Sequence, residues 1–494
     1  MLLITLRNSI IFACGLLVFC VPCISGLSAQ EIGDRVVVTA SFETLITNKK
    51  VDKVFEGNVH TITASEGKWR MLSDVKGWIL VERLMNLDMA QKHFSKRISD
   101  NDKDSIAFAH RGMIFHEKEE YPKAFADLNQ SLTINAKNPV TWMHRGMVLK
   151  AQGKYLLAAK DIKKSIELNP KLANAHFNIG LVFYSMNDHK QAIKAYDAAI
   201  KLDDSHSLWF VSRGSAKLGV DDLEGAKEDY EKAIELNDSL ADAHVGLSNL
   251  ALVKDDLDAA YKHANNAVEI QSSNAMGLNA RGWVLYKQGK IESAILDLTR
   301  AIRRAPKLSI AYGNRGVCYV SKNEFDKAIA DHTRHHNLDP ENPFALSNRG
   351  VAWLGKGDFD KAKSDFEAAE KLAPELDETL NGYAWFLSTC PDASFRDGKL
   401  AIKKAEAACK SSEYKDWYQL DTLAAAYAEL GQFDEAVKWA EKALGVAPDT
   451  KKDLCKEQIA RFKSKRPFRS QIGKNAEQVC VARNVYELVT CMCS

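Results

Sequence analysis

Apolar and polar residues change rhythm near residue 88. Before it, short runs rich in Val and Thr (GDRVVVTAS, NVHTITAS, KWRML and KGWILVERL) are separated by Gly33, Gly57, Gly67 and Gly77. In NVHTITAS, Val59, Thr61 and Thr63 alternate with His60, Ile62 and Ala64, the two-residue period of a strand. Residues 31–87 are therefore expected to form five short strands closing into a small barrel.

After that point the spacing is helical, and it recurs. Gly112, Gly146, Gly180 and Gly214 stand 34 residues apart; Ser248 keeps the slot, and Gly282, Gly316 and Gly350 continue it. A second ladder of small residues runs Ala124, Ala158, Ala192, Ala226, Ala260, Ala294, Ala328 and Ala362. A third runs Ser131, Ser165, Ala199, Ala233, Ala267 and Ala301, breaks at His335 and resumes at Ala369. Large residues fill the intervals: Trp142, Phe183, Tyr319 and Trp353 in first halves, Tyr196, Tyr230 and Phe366 in second halves. Pro170, Pro306, Pro340 and Pro374 close their units, where a residue that cannot continue a helix is wanted. A fixed period of this length marks one supersecondary unit stacked on copies of itself.

These ladders resemble the tetratricopeptide repeat (TPR), over residues 105–449. The resemblance implies a mainly α fold: a right-handed TPR solenoid of about ten helix-turn-helix repeats. The ninth repeat departs, with Ala384 in the glycine slot and five extra residues in the loop TCPDASFRDGK. The tenth regains register at Ala424, Ala436 and Ala443. In residues 88–104, Ala90 and Phe94 fall on register and predict a lone helix covering the first repeat. Cys455, Ile459 and Phe462 give residues 450–466 the single apolar stripe of a capping helix. Residues 467–494 show no pattern and read as a disordered tail. The GKW…KGWI ending of residues 30–87 resembles bacterial SH3-like domains, with Trp69 and Trp78 either lining a ligand groove or packed in the core.

Six repeats place an arginine before the glycine: Arg111, Arg145, Arg213, Arg281, Arg315 and Arg349. The same six carry an aspartate on the second helix: Asp127, Asp161, Asp229, Asp297, Asp331 and Asp365. The other four lose both together, as Ile179 with Ala195, Leu247 with His263, Tyr383 with Lys404 and Leu423 with Trp439. This covariation within one chain predicts a two-pronged Arg–Asp bridge inside each repeat, a structural salt bridge rather than an anion site.

In the family it resembles, first helices line a concave groove through positions 2, 5, 9, 12 and 13 of each repeat, counted with the glycine at 8. Carried onto this chain, those positions give Phe177, Leu181 and Tyr184; Met276, Asn279 and Trp283; Val317 and Val320; and Phe344, Val351 and Leu354. Such a groove suits an extended peptide or an amphipathic helix of a protein partner. Ala109 and Met113 stand where the clamp for chaperone tails has Lys and Asn, so that role is disfavoured. His332 and His336 lie four apart on one helix and are a weak candidate zinc pair. No acidic residue completes a site, and His332 and His335 occupy packing slots, so no metal is assigned.

Composition narrows the function further. The net charge is only +2, with no basic stripe for nucleic acid. Arg7, the apolar run Ile10–Ile24 and the small-residue stretch ending at Ala29 have the layout of a signal peptide over residues 1–29. An uncleaved membrane anchor is the alternative. Seven cysteines remain beyond it, and Cys390 and Cys409 are expected on the order of 20 Å apart, too far to bridge. Phosphate-binding loops, zinc-protease motifs, nucleophile elbows and dinucleotide fingerprints are absent. The expectation is an exported, non-enzymatic, cofactor-free scaffold, periplasmic, cell-envelope or secreted, that binds a protein or peptide. The alternatives are a wall- or glycan-binding β module with the array as spacer, and an enzyme whose site is not recognisable.

Overall fold

Side chains of two helices can approach closely only where one of them carries almost nothing, and the glycine ladder supplies those places. The structure, a computed structural model, describes residues 84–473 and six strands before them, at 35–38, 42–46, 49–54, 59–66, 69–72 and 78–80. The signal-peptide segment 1–29 and the chain from residue 474 onward lie outside the described residues. The chain divides into two bodies, residues 1–168 and 169–494.

The first body begins with strands β1 (Arg35–Val38), β2 (Phe42–Ile46), β3 (Lys49–Val54), β4 (Val59–Glu66), β5 (Trp69–Leu72), β6 (Trp78–Leu80) and β7 (Leu84–Asn86). Five of them form an antiparallel sheet in the order β6-β5-β4-β1-β7, and β2 pairs with β3 as a separate hairpin. Seven strands thus replace the five expected. The additional hairpin was illegible because KKVDKV has no β-branched run. The turns that would close a barrel, and the side chains of Trp69 and Trp78, lie outside the described residues.

Helix α1 (Leu87–Asp100) follows, capped by Asn86, whose side chain accepts from the Met89 amide. It packs Ala90 and Phe94 against Ala107 and Ile114 of the next helix. Repeat one is α2 (Ser105–Glu117) with α3 (Tyr121–Ile134), and repeat two is α4 (Pro139–Ala151) with α5 (Tyr155–Leu168).

In the second body, repeat three is α6 (Ala173–Ser185) with α7 (His189–Leu202), and repeat four is α8 (Ser207–Leu218) with α9 (Leu223–Leu236). Repeat five is α10 (Ala241–Val253) with α11 (Leu257–Ile270), and repeat six is α12 (Ala275–Lys287) with α13 (Ile291–Arg304). Repeat seven is α14 (Ser309–Ser321) with α15 (Phe325–Leu338), and repeat eight is α16 (Pro343–Lys356) with α17 (Phe359–Leu372). Repeat nine is α18 (Asp377–Thr389) with α19 (Gly398–Ser411), its extra residues holding a short 3-10 turn at Ala393–Phe395. Repeat ten is α20 (Trp417–Glu429) with α21 (Phe433–Val446), and α22 (Asp449–Lys463) closes the row. Within each body, a second helix packs on its own first helix and on the first helix of the following repeat.

The same local chemistry recurs in repeat after repeat. The turn between paired helices passes through a left-handed residue, such as Asn187 (φ 60°) and Gly153 (φ 72°). Asp188, Asp222, Asp256 and Asp358 then cap the second helices through their side chains. At the crossing, a Cβ added to Gly146 would stand 2.5 Å from Ile162, and one added to Gly180 2.5 Å from the Tyr196 ring. Ser248 fits the slot because its hydroxyl donates to the Ala260 carbonyl at 2.9 Å.

The end of the chain departs from expectation. Residues 467–473, read as part of a disordered tail, lie along the first helices of repeats ten, nine and eight. Phe468 packs on Trp385 with ring centroids 5.4 Å apart. Arg469 pairs with Glu429. The Ser470 amide donates to the Thr389 carbonyl at 2.8 Å, and the Gly473 amide to the Gly355 carbonyl at 2.9 Å. This docking left no trace in the pattern because it uses backbone groups and one aromatic residue rather than a periodic stripe. Residues 474–494 of the expected tail lie outside the described residues.

Candidate partner-binding face

The arginine row is consumed internally. In each of the six repeats the guanidinium donates twice to the aspartate sixteen residues on, through Nε and Nη2. Arg315–Asp331 is typical, at 2.8 Å for both bonds. The aspartates are buried, and the guanidiniums are under a fifth exposed or close to it. The bond to the aspartate is the largest influence on Arg111 and Arg281 and raises both above the ordinary arginine value.

Sequence reasoning missed the third arm. Nη1 of each arginine reaches sixteen residues backward: to Ser95 on α1 for Arg111, and otherwise to the second helix of the preceding repeat, at Asn129, Asp197, Asn265, Thr299 and Thr333. The guanidinium therefore joins neighbouring units as well as the two helices of one. Repeat nine keeps the geometry with other chemistry. Lys404 stands 4.7 Å over the Tyr383 ring, and the Tyr383 hydroxyl donates to Glu367, sixteen residues back.

First helices from repeat three to repeat ten each touch the next first helix, forming a shared face. The groove candidates lie on it in two states. Tyr184, Asn279, Trp283, Val317, Val320, Phe344, Val351 and Leu354 are buried, packed on neighbouring helices, while Phe177, Leu181 and Met276 are partly open. Trp283, only 2% exposed, packs with Ile310 and Val317 of the following repeat. Asn279 accepts from Asn314 at 3.0 Å, a buried amide link between repeats six and seven. In repeat three, Phe177 stacks on Trp209 of repeat four at 5.4 Å.

His332 is buried against Gly316, whose added Cβ would meet its ring at 2.6 Å. Burial holds its pKa near 3. Among the described residues no group of three His, Cys, Asp or Glu is placed to hold a metal ion. Cys318, Cys390, Cys409 and Cys455 are free and buried, and burial pushes the Cys318 and Cys409 thiols up to about 12. Two buried acids mark the last repeats. Burial raises Asp421 to about 7; burial and the adjoining Asp377 carboxyl raise Glu378 to about 8.

Family models described as tetratricopeptide repeat match residues 140–172, 173–206, 210–239, 279–335, 343–376 and 420–450, and these stretches are such repeats. Among solved structures, the chain is similar to yeast Tom70, at 16% identity over 74% of this chain and 96% of that one, with a TM-score of 0.37. It is similar to a human IFIT1 dimer with m7Gppp-AAAA, at 14% identity over 74% and 95%, with a TM-score of 0.46. A tetratricopeptide repeat protein from Parabacteroides merdae matches at 15% identity over 53% and 99%, with a TM-score of 0.44. No curated protein matches the chain.

Proposed function

We propose that this chain, an array of tetratricopeptide repeats, is an exported, non-enzymatic scaffold that binds a peptide or helix of a protein partner along the shared face of its first helices. The observation that carries the reading is the contrast between that face and the arginine row. The charged groups that catch the eye in the sequence are saturated by aspartates and by the preceding helix. The first-helix face instead offers apolar side chains that remain partly open, Phe177, Leu181 and Met276. An apolar strip of this kind takes an amphipathic helix or the alternate side chains of an extended peptide. Export rests on the layout of residues 1–29.

The test is site-specific crosslinking in the full chain. Photo-reactive residues at Leu181 and Met276 are expected to capture a partner from the envelope fraction. The same residue at Leu156 or Leu296, exposed on second helices, is expected to capture none. Capture through the second-helix positions alone would remove this reading. A second reading makes residues 30–87 an SH3-like module that binds wall or glycan; it rests on the GKW…KGWI ending of the sequence. Retention of the first body's β segment on peptidoglycan, with no crosslink at Leu181 or Met276, favours that reading over the first.

A further inference from the structure

The chain already lays one of its own non-helical segments on part of this face. Residues Arg466–Gly473 leave α22 and run from repeat ten to repeat eight, against the order of the repeats. Most of their seats are on first helices, with Arg461 of α22 and Gly357, just past α16, as the others. Phe468 sits on Trp385, and the Arg461 guanidinium also packs on the Phe468 ring, 5.4 Å from its centroid. Arg469 meets Glu429 of repeat ten and donates to the Ser388 carbonyl at 3.3 Å. Glu429 is shared with Arg396, which holds it at 2.9 Å. Ser470 bonds Thr389 through both backbone and hydroxyl, each at 2.8 Å. Ile472 lies over Gly357, and Gly473 donates to Gly355.

Two of these bonds are backbone to backbone, so this part of the face accepts main-chain N–H donors, with one aromatic seat and one acidic seat. The seating is incomplete. On α18, the helix the segment crosses, Nε1 of Trp385, the residue that seats Phe468, is buried without a hydrogen-bond partner among the described residues. Ile472 is 56% exposed, so the far end of the segment adds little apolar burial. An occupant that leaves polar groups unmatched is exchangeable for one that matches them.

We infer that Arg466–Gly473 is an intramolecular ligand of the binding face, and that a partner peptide with an aromatic–arginine pair must displace it to occupy repeats eight to ten. This rests on the partner-binding reading above and adds to it a sequence chemistry and a competitor. A segment bound nine-tenths of the time weakens the apparent affinity of its competitor about tenfold.

The test uses the full chain and a labelled octapeptide of the segment's own sequence, RPFRSQIG. In the double variant Phe468→Ala, Arg469→Glu, the octapeptide is expected to bind at least about ten times more tightly than to the unaltered chain. Adding Glu429→Gln to the double variant is expected to weaken that binding. Amide exchange at Ser470 and Gly473 is followed in parallel and is expected to accelerate in the double variant. Accelerated exchange with no gain in octapeptide binding overturns the inference, as does equal binding to both forms. Because the crosslinks at Leu181 and Met276 report on repeats three and six, a partner captured there survives failure of this experiment.

Discussion

Arg349 and Asp365 meet through two hydrogen bonds of 2.7 Å each, between the two helices of repeat eight. The same pair is absent from repeat three, where Ile179 and Ala195 stand in its place, both buried. The chain thus contains its own control for what the bridge contributes. Arg349→Ile alone buries Asp365 without a partner, and Asp365→Ala alone strands the guanidinium. Each is expected to cost roughly 3 kcal/mol in urea unfolding. The double change is expected to cost less than the sum, with a coupling of about 1–3 kcal/mol. A coupling of zero would show the pair to be independent.

Glycine substitutions separate packing from propensity. Gly146→Ala sets a methyl 2.5 Å from Ile162 and 3.1 Å from the Ala158 carbonyl, and is expected to destabilise by about 1–3 kcal/mol. Gly445→Ala, on an exposed turn of α21 with nothing within 4 Å, is expected to stabilise by about 0.5–1 kcal/mol. Urea midpoints moving in opposite directions are the signature; a shared direction contradicts the geometry.

The two buried acids predict a pH dependence of definite sign. Asp421 and Glu378 keep their protons in the fold to about 7 and about 8, whereas an unfolded chain releases them near 4. The folded state therefore binds more protons between these values, and their contribution to stability is full at low pH and lost as pH rises from about 4 toward 8. Each contributes a slope of at most about 1.4 kcal/mol per pH unit. Asp421→Asn is expected to flatten the fall in melting temperature between pH 5 and 7; an unchanged slope would place the effect elsewhere.

His332 acts on the acid side. Neither ring nitrogen has a hydrogen-bond partner among the described residues, and its folded pKa is near 3. Below the unfolded value of about 6.5 the unfolded chain takes up a proton that the fold excludes, so stability falls as pH falls. His332→Leu, the residue type at the equivalent positions Leu128 and Leu298, is expected to preserve the fold and remove part of this loss. Acid unfolding followed by circular dichroism checks it.

The helix pairs were legible because one spacing constraint, glycine against a bulky residue sixteen positions later, recurs without change of register. The Arg–Asp bridge was legible because both partners keep their identity. Its third arm was not, since the acceptor varies among Ser95, Asn129, Asp197 and Thr299 and any hydroxyl, amide or carboxylate serves. Position along a helix also says nothing of depth: Trp283 and Leu181 each follow the slot glycine and occupy the same groove position, yet one is buried and the other partly open. That difference depends on the side chains of the next repeat, Ile310 and Val317 for Trp283, which no single-helix pattern contains.

Leu247 stands where repeat five would carry its arginine, so no guanidinium ties repeats four and five together. Buried apolar side chains carry that junction, and the surface ion pair Lys254–Glu224, at 2.8 Å, adds little to them. Stretched from its ends, the second body would rely there on shape alone: Tyr230 and Ala233 against Ala243, Leu247 and Leu250 resist the pull without a directional bond.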